Sequence, residues 1–376
     1  MIREIKEKED DELLDYEPLL SYENRGSYII GQIEEQFARS VNAYNPLLVT
    51  SGTSALYLAL VAYKFDADSE IILPVNICHS MVDAVIRANL IPVFVDVTVD
   101  LCIDLEKMKT AINAKTRAVV LVHPFGMPVQ ADEYYDYCDK RKIVLIEDCA
   151  QAVMAKINFQ IVGGTGDIAI YSFGQNKPIS AGGGGIICAK DELFAERLRG
   201  IAKDGCISGI PHADIGMGLF VNDLQGKYIY NRLCNAEQLI EQKCEKAKCY
   251  LDFLQDEIQY IGQEKYGMKG FKNVFHRLVL KIPTVNVTEL LKDLYSKYGN
   301  IVYELSQDSY PYLPYKSEYI EDYYKQRRRE DLCKDNRFSS YLSNKSHYLY
   351  LFTHDRIKKE KIEEFAEILR RELLEQ

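Results

Sequence analysis

The chain lacks a surplus of positive charge. Its 46 lysines and arginines are outnumbered by 56 aspartates and glutamates, for a net charge of −10 at pH 7. That balance argues against nucleic-acid binding, since no cationic excess is left to neutralise phosphates. Long apolar runs are missing as well. No stretch approaches the ~20 residues of a membrane-spanning helix, and no membrane partner is expected. The opening residues, Met1 to Asp11, are charged where a secretory signal would place its apolar core. The ten cysteines include no CxxC pair, and no His/Cys cluster has zinc spacing, so no metal centre is expected. Several sit in apolar runs, as Cys188 does in Ile186-Ile187-Cys188-Ala189. Reduced, partly buried thiols in a cytoplasmic protein fit better than a disulfide framework. Neither an internal repeat nor a low-complexity tract is present. The dense basic run Lys325-Gln326-Arg327-Arg328-Arg329 is followed at once by Glu330 and Asp331 and reads as a solvated helix face.

With 376 residues, 47% hydrophobic and 27% charged, the sequence can bury a sizeable core in two lobes. From residue 47 to about 204, short apolar runs alternate with helix-like stretches. Candidate strands are Leu47–Thr50, Ile71–Pro74, Ile91–Val97, Ala118–His123, Ile143–Asp148, Ile168–Phe173 and Gly184–Ala189. The helical patterns between them include Ser54–Tyr63, Ser80–Asn89, Leu105–Ile112, Ala131–Lys140 and Glu192–Ala202. This alternation indicates an α/β layer on a mostly parallel sheet covered on both faces. A glycine-rich loop, not a helix, joins the last two strands and marks the place for an antiparallel strand.

After residue 222 the texture changes. Asp223 to Gln255 reads as one long helix, Val274–Ile282 as a strand and Val287–Tyr298 as a helix. Tyr348–Phe352 reads as a short strand and Lys358–Leu374 as an amphipathic helix. The expected division is a large domain over 1–235, with an N-terminal segment over 1–45, and a small α+β domain over 236–376. Tyr310 to Tyr324 holds six tyrosines and two prolines and reads as an irregular surface segment.

Open α/β sheets bind ligands outside the carboxyl ends of their strands, and four segments there can carry chemistry. In Thr50-Ser51-Gly52-Thr53-Ser54-Ala55-Leu56 a strand ends, a glycine turns the chain and hydroxyl residues open a helix. That arrangement is a phosphate cradle or a plain Ser/Thr cap. In Ile146-Glu147-Asp148-Cys149-Ala150-Gln151-Ala152 carboxylates leave a buried strand, where they are desolvated unless a cation or ligand meets them. Asp148 can pair with a protonated heterocyclic nitrogen and Gln151 can bond the same ring; a helix-capping aspartate is the alternative. Tyr171-Ser172-Phe173-Gly174-Gln175-Asn176-Lys177-Pro178, followed by Gly182-Gly183-Gly184-Gly185, delivers a hydroxyl and then a lysine into a flexible loop. A lysine in a partly dehydrated cleft keeps a neutral amine that can attack an aldehyde; most lysines are solvated surface groups. His123-Pro124-Phe125-Gly126 is either a turn that tightens the crevice or a source of a catalytic histidine. A nicotinamide-dependent oxidoreductase is rejected: the first strand leads into Ser51-Gly52-Thr53, with no early GxGxxG, and the later glycines open no helix.

Together these segments resemble the DegT/StrS-type sugar aminotransferases, a branch of the pyridoxal 5'-phosphate (PLP) enzymes. Ser51-Gly52-Thr53-Ser54-Ala55-Leu56 is similar to the family's SGTxAL loop, and Pro92-Val93-Phe94-Val95-Asp96-Val97 to its PVFVDV strand. His123–Gly126 is similar to its H-x-[YF]-G turn, Ile146–Ala152 to its IEDxAQA stretch and Ser172–Lys177 to its SFxxxK segment. The resemblance runs in order from about residue 48 to 205 and more weakly beyond. It implies the aspartate-aminotransferase-like fold, with a seven-stranded, mostly parallel sheet and a smaller α+β domain. It also implies that Lys177 carries PLP covalently and acts as acid/base, and that Asp148 holds the pyridinium nitrogen protonated. Gln151 would meet the ring hydroxyl, and Gly52, Thr53, Ser54 and Ser172 the phosphate. The implied reaction moves an amino group from an amino acid, usually L-glutamate, to a nucleotide-linked keto-sugar or related carbonyl compound, in a homodimer.

Three positions depart from the family pattern. Cys78, in Pro74-Val75-Asn76-Ile77-Cys78-His79-Ser80, stands where an aromatic ring stacks on the cofactor, with His79 as the neighbouring substitute. The asparagine that reaches a neighbouring subunit's phosphate would fall near Gly218, and Asn222 is its replacement candidate. The glutamate of the family's Gly-Glu-Gly-Gly is absent from Gly182–Gly185. A dehydratase or lyase on the same fold and a non-catalytic, cofactor-binding regulatory protein are the alternatives. The family's sugar 3-dehydratases replace the lysine with histidine, so Lys177 speaks against the former.

Overall fold

A computed structural model describes residues 28–254, 258–307, 314–334, 337–354 and 356–374. The central sheet has seven strands: β1 (Leu47–Val49), β2 (Glu70–Pro74), β3 (Ile91–Val95), β4 (Thr116–Val122), β5 (Val144–Asp148), β8 (Ile168–Ser172) and β9 (Gly185–Ala189). The strands β6 (Lys156–Ile157) and β7 (Gln160–Ile161) form a separate small hairpin. The order across the sheet is β1-β9-β8-β5-β4-β2-β3. From β3 to β8 all pairings are parallel, and β9 alone runs against its neighbours β8 and β1. The antiparallel strand therefore lies where the glycine loop replaces a crossover helix. Four strands, β1, β2, β3 and β9, are buried along their whole length, as expected for a sheet covered on both faces; in β4 only Arg117, in β5 only Val144 and in β8 only Ser172 departs from that pattern.

The helix Gly52–Tyr63 has little amphipathic character because it is enclosed. It packs on β8, β9 and the helices His79–Arg87 and Glu192–Ala202, and seven of its twelve residues are buried. Lys64 closes it in the left-handed conformation, its N–H bonded to the Val61 carbonyl.

Beyond the sheet, the single long helix expected from Asp223 is two helices, Asp223–Cys234 and Ala236–Leu254. Asn235 caps the first, its side-chain amide turned back onto the Asn231 carbonyl. Helix-forming composition ran unbroken through this point. The break lets the first helix pack on Tyr28–Val41 while the second packs on Lys359–Leu374. A four-stranded antiparallel sheet follows, β10 (Gln259–Tyr260), β11 (Arg277–Lys281), β12 (Ser306–Gln307) and β13 (Tyr348–Phe352), in the order β10-β11-β13-β12. It has its own core, built from Leu278, Leu280, Leu349, Leu351, Phe365 and their neighbours. No helix among the described residues is long and apolar enough to cross a membrane.

The tyrosine-rich segment is not an irregular surface stretch. Residues 308–313 lie outside the described residues, but Pro314–Lys316 forms a 3-10 turn and Glu318–Gln326 a helix. Tyr315 and Tyr324 are fully buried, and the Tyr324 hydroxyl donates to the Pro92 carbonyl at 2.6 Å. These rings cover the free edge of the sheet at β3, which explains tyrosine: an apolar body with a polar tip for an edge carbonyl. The basic run behind them is only partly solvated. Arg327 bonds Asp68 at 2.8 Å, and Arg329 bonds the buried Glu70 at 2.6 Å.

The exit of β1 and the entrance of β9 touch backbone to backbone. A Cβ added at Gly185 would lie 2.4 Å from the Ser51 carbonyl carbon and 2.5 Å from the Gly52 nitrogen. No side chain there can yield. Gly185→Ala is expected to cost about 1–3 kcal/mol, read as a lowered urea midpoint at unchanged slope. A midpoint equal to wild type would mean that the two backbones part easily.

Candidate active site

Because β1, β2, β4, β5 and β8 point the same way, their carboxyl ends share one edge, and the glycine loop entering β9 lies on that edge too. At the β1 exit Ser51 caps the helix Gly52–Tyr63. Its Oγ accepts the Ser54 N–H at 3.0 Å, and the Ser54 hydroxyl lies 2.9 Å from both Ser51 Oγ and Thr50 Oγ1. The cap uses the third amide of the helix. Among the described residues the second, on Thr53, has no partner, and the first, on Gly52, meets the Gly184 carbonyl across the bridge between Ser51 and Gly184. The cap and the anion cradle thus coexist: the N-cap leaves the Thr53 amide for a ligand, at the positive end of the helix dipole. Ser172, at the end of β8, lies against this turn, and a Cβ on Gly52 would come within 3.1 Å of its Cβ.

Asp148 ends β5 and is 5% exposed. Its Oδ1 accepts the Ala150 N–H at 3.0 Å, which leaves Oδ2 without a partner among the described residues. Burial pushes its carboxyl above the ordinary value, and the nearby Lys177 charge and the Ala150 N–H oppose that rise. Glu147, one residue earlier, faces the other way along the strand. Its oxygens take the N–H groups of Gly163, Thr165 and Gly166, and the His123 ring at 3.1 Å. Burial raises its carboxyl, but the His123 contact and the amide donors outweigh that and hold it low.

His123 is fully buried and spent on structure. Its Nδ1 accepts the Val129 N–H at 3.0 Å, so its ring proton sits on Nε2 and is donated to Glu147. Of the two readings of the His123–Gly126 turn, the structural one holds. The turn nevertheless orients the site. Phe125, held at φ 53°, directs its N–H to Gln151 Oε1 at 2.9 Å. That fixes the amide, so Gln151 presents Nε2 as a donor.

Lys177 follows β8 in a tight turn, its N–H bonded to the Gly174 carbonyl at 3.1 Å. It is half-buried, and its Nζ has no hydrogen bond or ion pair among the described residues. Its charge acts on Asp148 and on His276.

The structure brings together Gly52, Thr53, Ser54, Ser172, Asp148, Gln151 and Lys177. Cys78 opens the helix His79–Arg87 after β2, with Sγ 3.2 Å from Ser80 Oγ. His79 is drawn to the tyrosine-rich helix: its Nε2 lies 2.5 Å from the Tyr319 hydroxyl, which donates to Asp83 at 2.8 Å. Asn222 is exposed and caps the helix Asp223–Cys234, its Oδ1 accepting the Gln225 N–H at 2.9 Å. Among the described residues no hydrogen bond joins it to the cluster.

One residue of this neighbourhood was not foreseen. His276, just ahead of β11, is 9% exposed, and its Nδ1 is sealed from solvent with no partner. An unpaired buried group of this kind costs about 1–3 kcal/mol. Burial first, then the charges of Lys177, Arg277 and Lys243, hold its ring well below the usual histidine range, so it is neutral at pH 7. The sequence did carry a signal: His276 is the polar member of the buried series Val274, His276, Leu278, Leu280 and Ile282.

Comparison with known proteins agrees with this geometry. The Helicobacter pylori aminotransferase involved in the biosynthesis of pseudoaminic acid superposes with a TM-score of 0.79 at 20% identity, over 92% of this chain and 90% of that one. GDP-perosamine synthase of Vibrio cholerae is 32% identical over 50% of this chain and 51% of its own length, so the match spans about half of that relative. GDP-perosamine synthase of Escherichia coli O157:H7 is 28% identical over 82% of this chain and 83% of its own. The fold is that of the aspartate-aminotransferase-like, PLP-dependent transferases. The chain belongs to the DegT/DnrJ/EryC1/StrS aminotransferase family, whose profile matches residues 4–368.

The Asp148 environment gives a signed prediction for the cofactor-free chain. Its folded pKa lies above the ordinary 3.8, so the stability it contributes is complete below 3.8 and is lost as pH rises through the folded value. Asp148→Asn removes that loss. At pH 7 the cofactor-free variant should melt at the same temperature as wild type or higher. A lower melting temperature would mean that the ionised carboxylate is stabilised by the protein alone.

Proposed function

We propose that the chain is a PLP-dependent aminotransferase that moves an amino group from an amino acid, with L-glutamate the first candidate, to a nucleotide-linked keto-sugar or a related carbonyl compound. The observation that carries this reading is the meeting of an unpaired lysine, a buried carboxylate with one free oxygen and an amide of fixed orientation beside a helix start with an open amide. Those groups suit the cofactor's parts. The Thr53 N–H and the hydroxyls of Thr53, Ser54 and Ser172 would hold its phosphate. Asp148 Oδ2 would bond the pyridinium nitrogen, and Gln151 Nε2 the ring oxygen.

When bound, pyridoxal phosphate supplies an aldehyde for the amino group and a ring that accepts electron density. Asp148, already forced up in pKa by burial, regains a favourable ionised state by facing a cation, so cofactor binding and carboxylate ionisation reinforce each other. Lys177 Nζ is the group that takes the donor's α-proton and returns a proton to the neighbouring carbon. Its freedom from ion pairs suits a residue that must change bonding partners.

A dimer belongs to the same reading. Ile210, Ile215, Phe220, Leu224 and Tyr228 are all more than half exposed within one stretch of chain, apolar side chains that a second copy would cover. Cys78, His79 and Asn222 remain candidates for contacts that a ring-stacking side chain or a neighbouring subunit provides elsewhere in the family.

The test is an absorption spectrum of the purified protein with PLP. Wild type should show the visible band of a lysine-bound pyridoxal and lose it on adding L-glutamate, and Lys177→Ala should never form it. A band that no amino acid bleaches would favour a lyase or a cofactor-binding regulator. No band in wild type would remove the cofactor assignment.

A further inference from the structure

His276 is a buried polar residue that the proposed mechanism does not use. Neither ring nitrogen is bonded to any described residue, and Nδ1 is sealed from water. Its backbone abuts the turn that orients Gln151. A Cβ on Gly126 would lie 2.7 Å from the nitrogens of both Phe275 and His276, and the Gly126 carbonyl accepts the Val274 N–H at 3.1 Å. Thr353 Oγ1 fixes the other side by donating to the carbonyls of Phe275, at 2.5 Å, and His276, at 3.2 Å. The ring is therefore held at a set place beside the cluster. The charged groups acting on it come from three elements and are all positive: Lys177 from the loop after β8, Lys243 from the helix Ala236–Leu254 and Arg277 from its own strand.

The other nitrogen, Nε2, is neither bonded nor sealed, and a neutral imidazole that donates from it in a positive surround matches a carboxylate. We propose that His276 binds a carboxylate of the amino-acid donor, making it a substrate-binding residue of the site. This rests on the transaminase reading. The imidazole gives one directional hydrogen bond, while the surrounding cations supply charge without being bonded to the ligand. A hydroxyl of the acceptor would gain nothing from that charge, which is why the anionic donor is the occupant assigned.

The experiment uses the holoenzyme as wild type, His276→Ala and His276→Gln. Maleate, a dicarboxylate that cannot react, is titrated against the cofactor band, and the bleaching rate is measured against L-glutamate concentration. In His276→Ala the band and the melting temperature should persist. The dissociation constant of maleate and the half-saturating glutamate concentration should each rise at least about tenfold, with a smaller change in the limiting bleaching rate. His276→Gln, which keeps a donor near the Nε2 position, should recover part of the loss and serves as the test variant if His276→Ala does not fold. Unchanged maleate binding and glutamate half-saturation, with the band intact, would overturn this inference alone. A lowered limiting rate at unchanged maleate affinity would overturn it too, and would make His276 a positioning residue for Lys177. A wild type without a band would defeat the transaminase reading first and this one with it.

Discussion

The close approach of two backbones at the sheet edge is the constraint from which the rest follows. Gly185 admits the Ser51–Gly52 turn to a distance at which no Cβ fits, and Gly52 admits Ser172. The helix start is thereby locked to the end of β8 at Ser172, five positions before Lys177 in the chain. Without glycine at both places, cradle and lysine could not share one crevice. The antiparallel β9 serves the same end. A glycine loop that stays at the carboxyl edge keeps the chain there after Lys177, where a crossover helix would carry it off.

Against that rigid frame stands a charge the fold holds at a cost. Two neighbouring carboxylates leave β5, and their environments push them in opposite directions. Glu147 is saturated by three amides and a histidine and is held low. Asp148 has one amide, an open oxygen and a raised pKa. Strand alternation alone sends them to opposite faces. Of the pair, the fully satisfied one anchors the loop 163–166, and the under-satisfied one is left for a cationic ligand.

The smaller sheet is tied into this arrangement through backbone more than through side chains. Gly126 bonds Val274 and packs on Phe275 and His276, so the strand entering the second core passes directly behind the turn that aims Gln151. Any shift of β11 relative to the large sheet would be felt at Phe125 and hence at the amide. The tyrosine-rich helix makes a comparable link at the far edge, where Tyr323 and Tyr324 cap the carbonyls of Leu90 and Pro92.

What the sequence by itself determined is what local periodicity and short spacing encode. The seven strands, the helices between them, the place of the antiparallel strand and the cluster Gly52, Thr53, Ser54, Asp148, Gln151, Ser172 and Lys177 were all legible. Each arises from a strand end and the few residues after it, and parallel strands send such ends to one edge. Tertiary structure decided the rest, because it depends on partners far away in the chain. Asn235 breaks a helix whose composition is continuous, since the two halves pack on different neighbours. Tyrosines that looked solvated are buried because an edge strand needed covering. His123, open to either reading, is consumed by Glu147 and Val129. His276 enters the neighbourhood across more than 90 residues of intervening chain from Lys177, through contacts that no spacing announces.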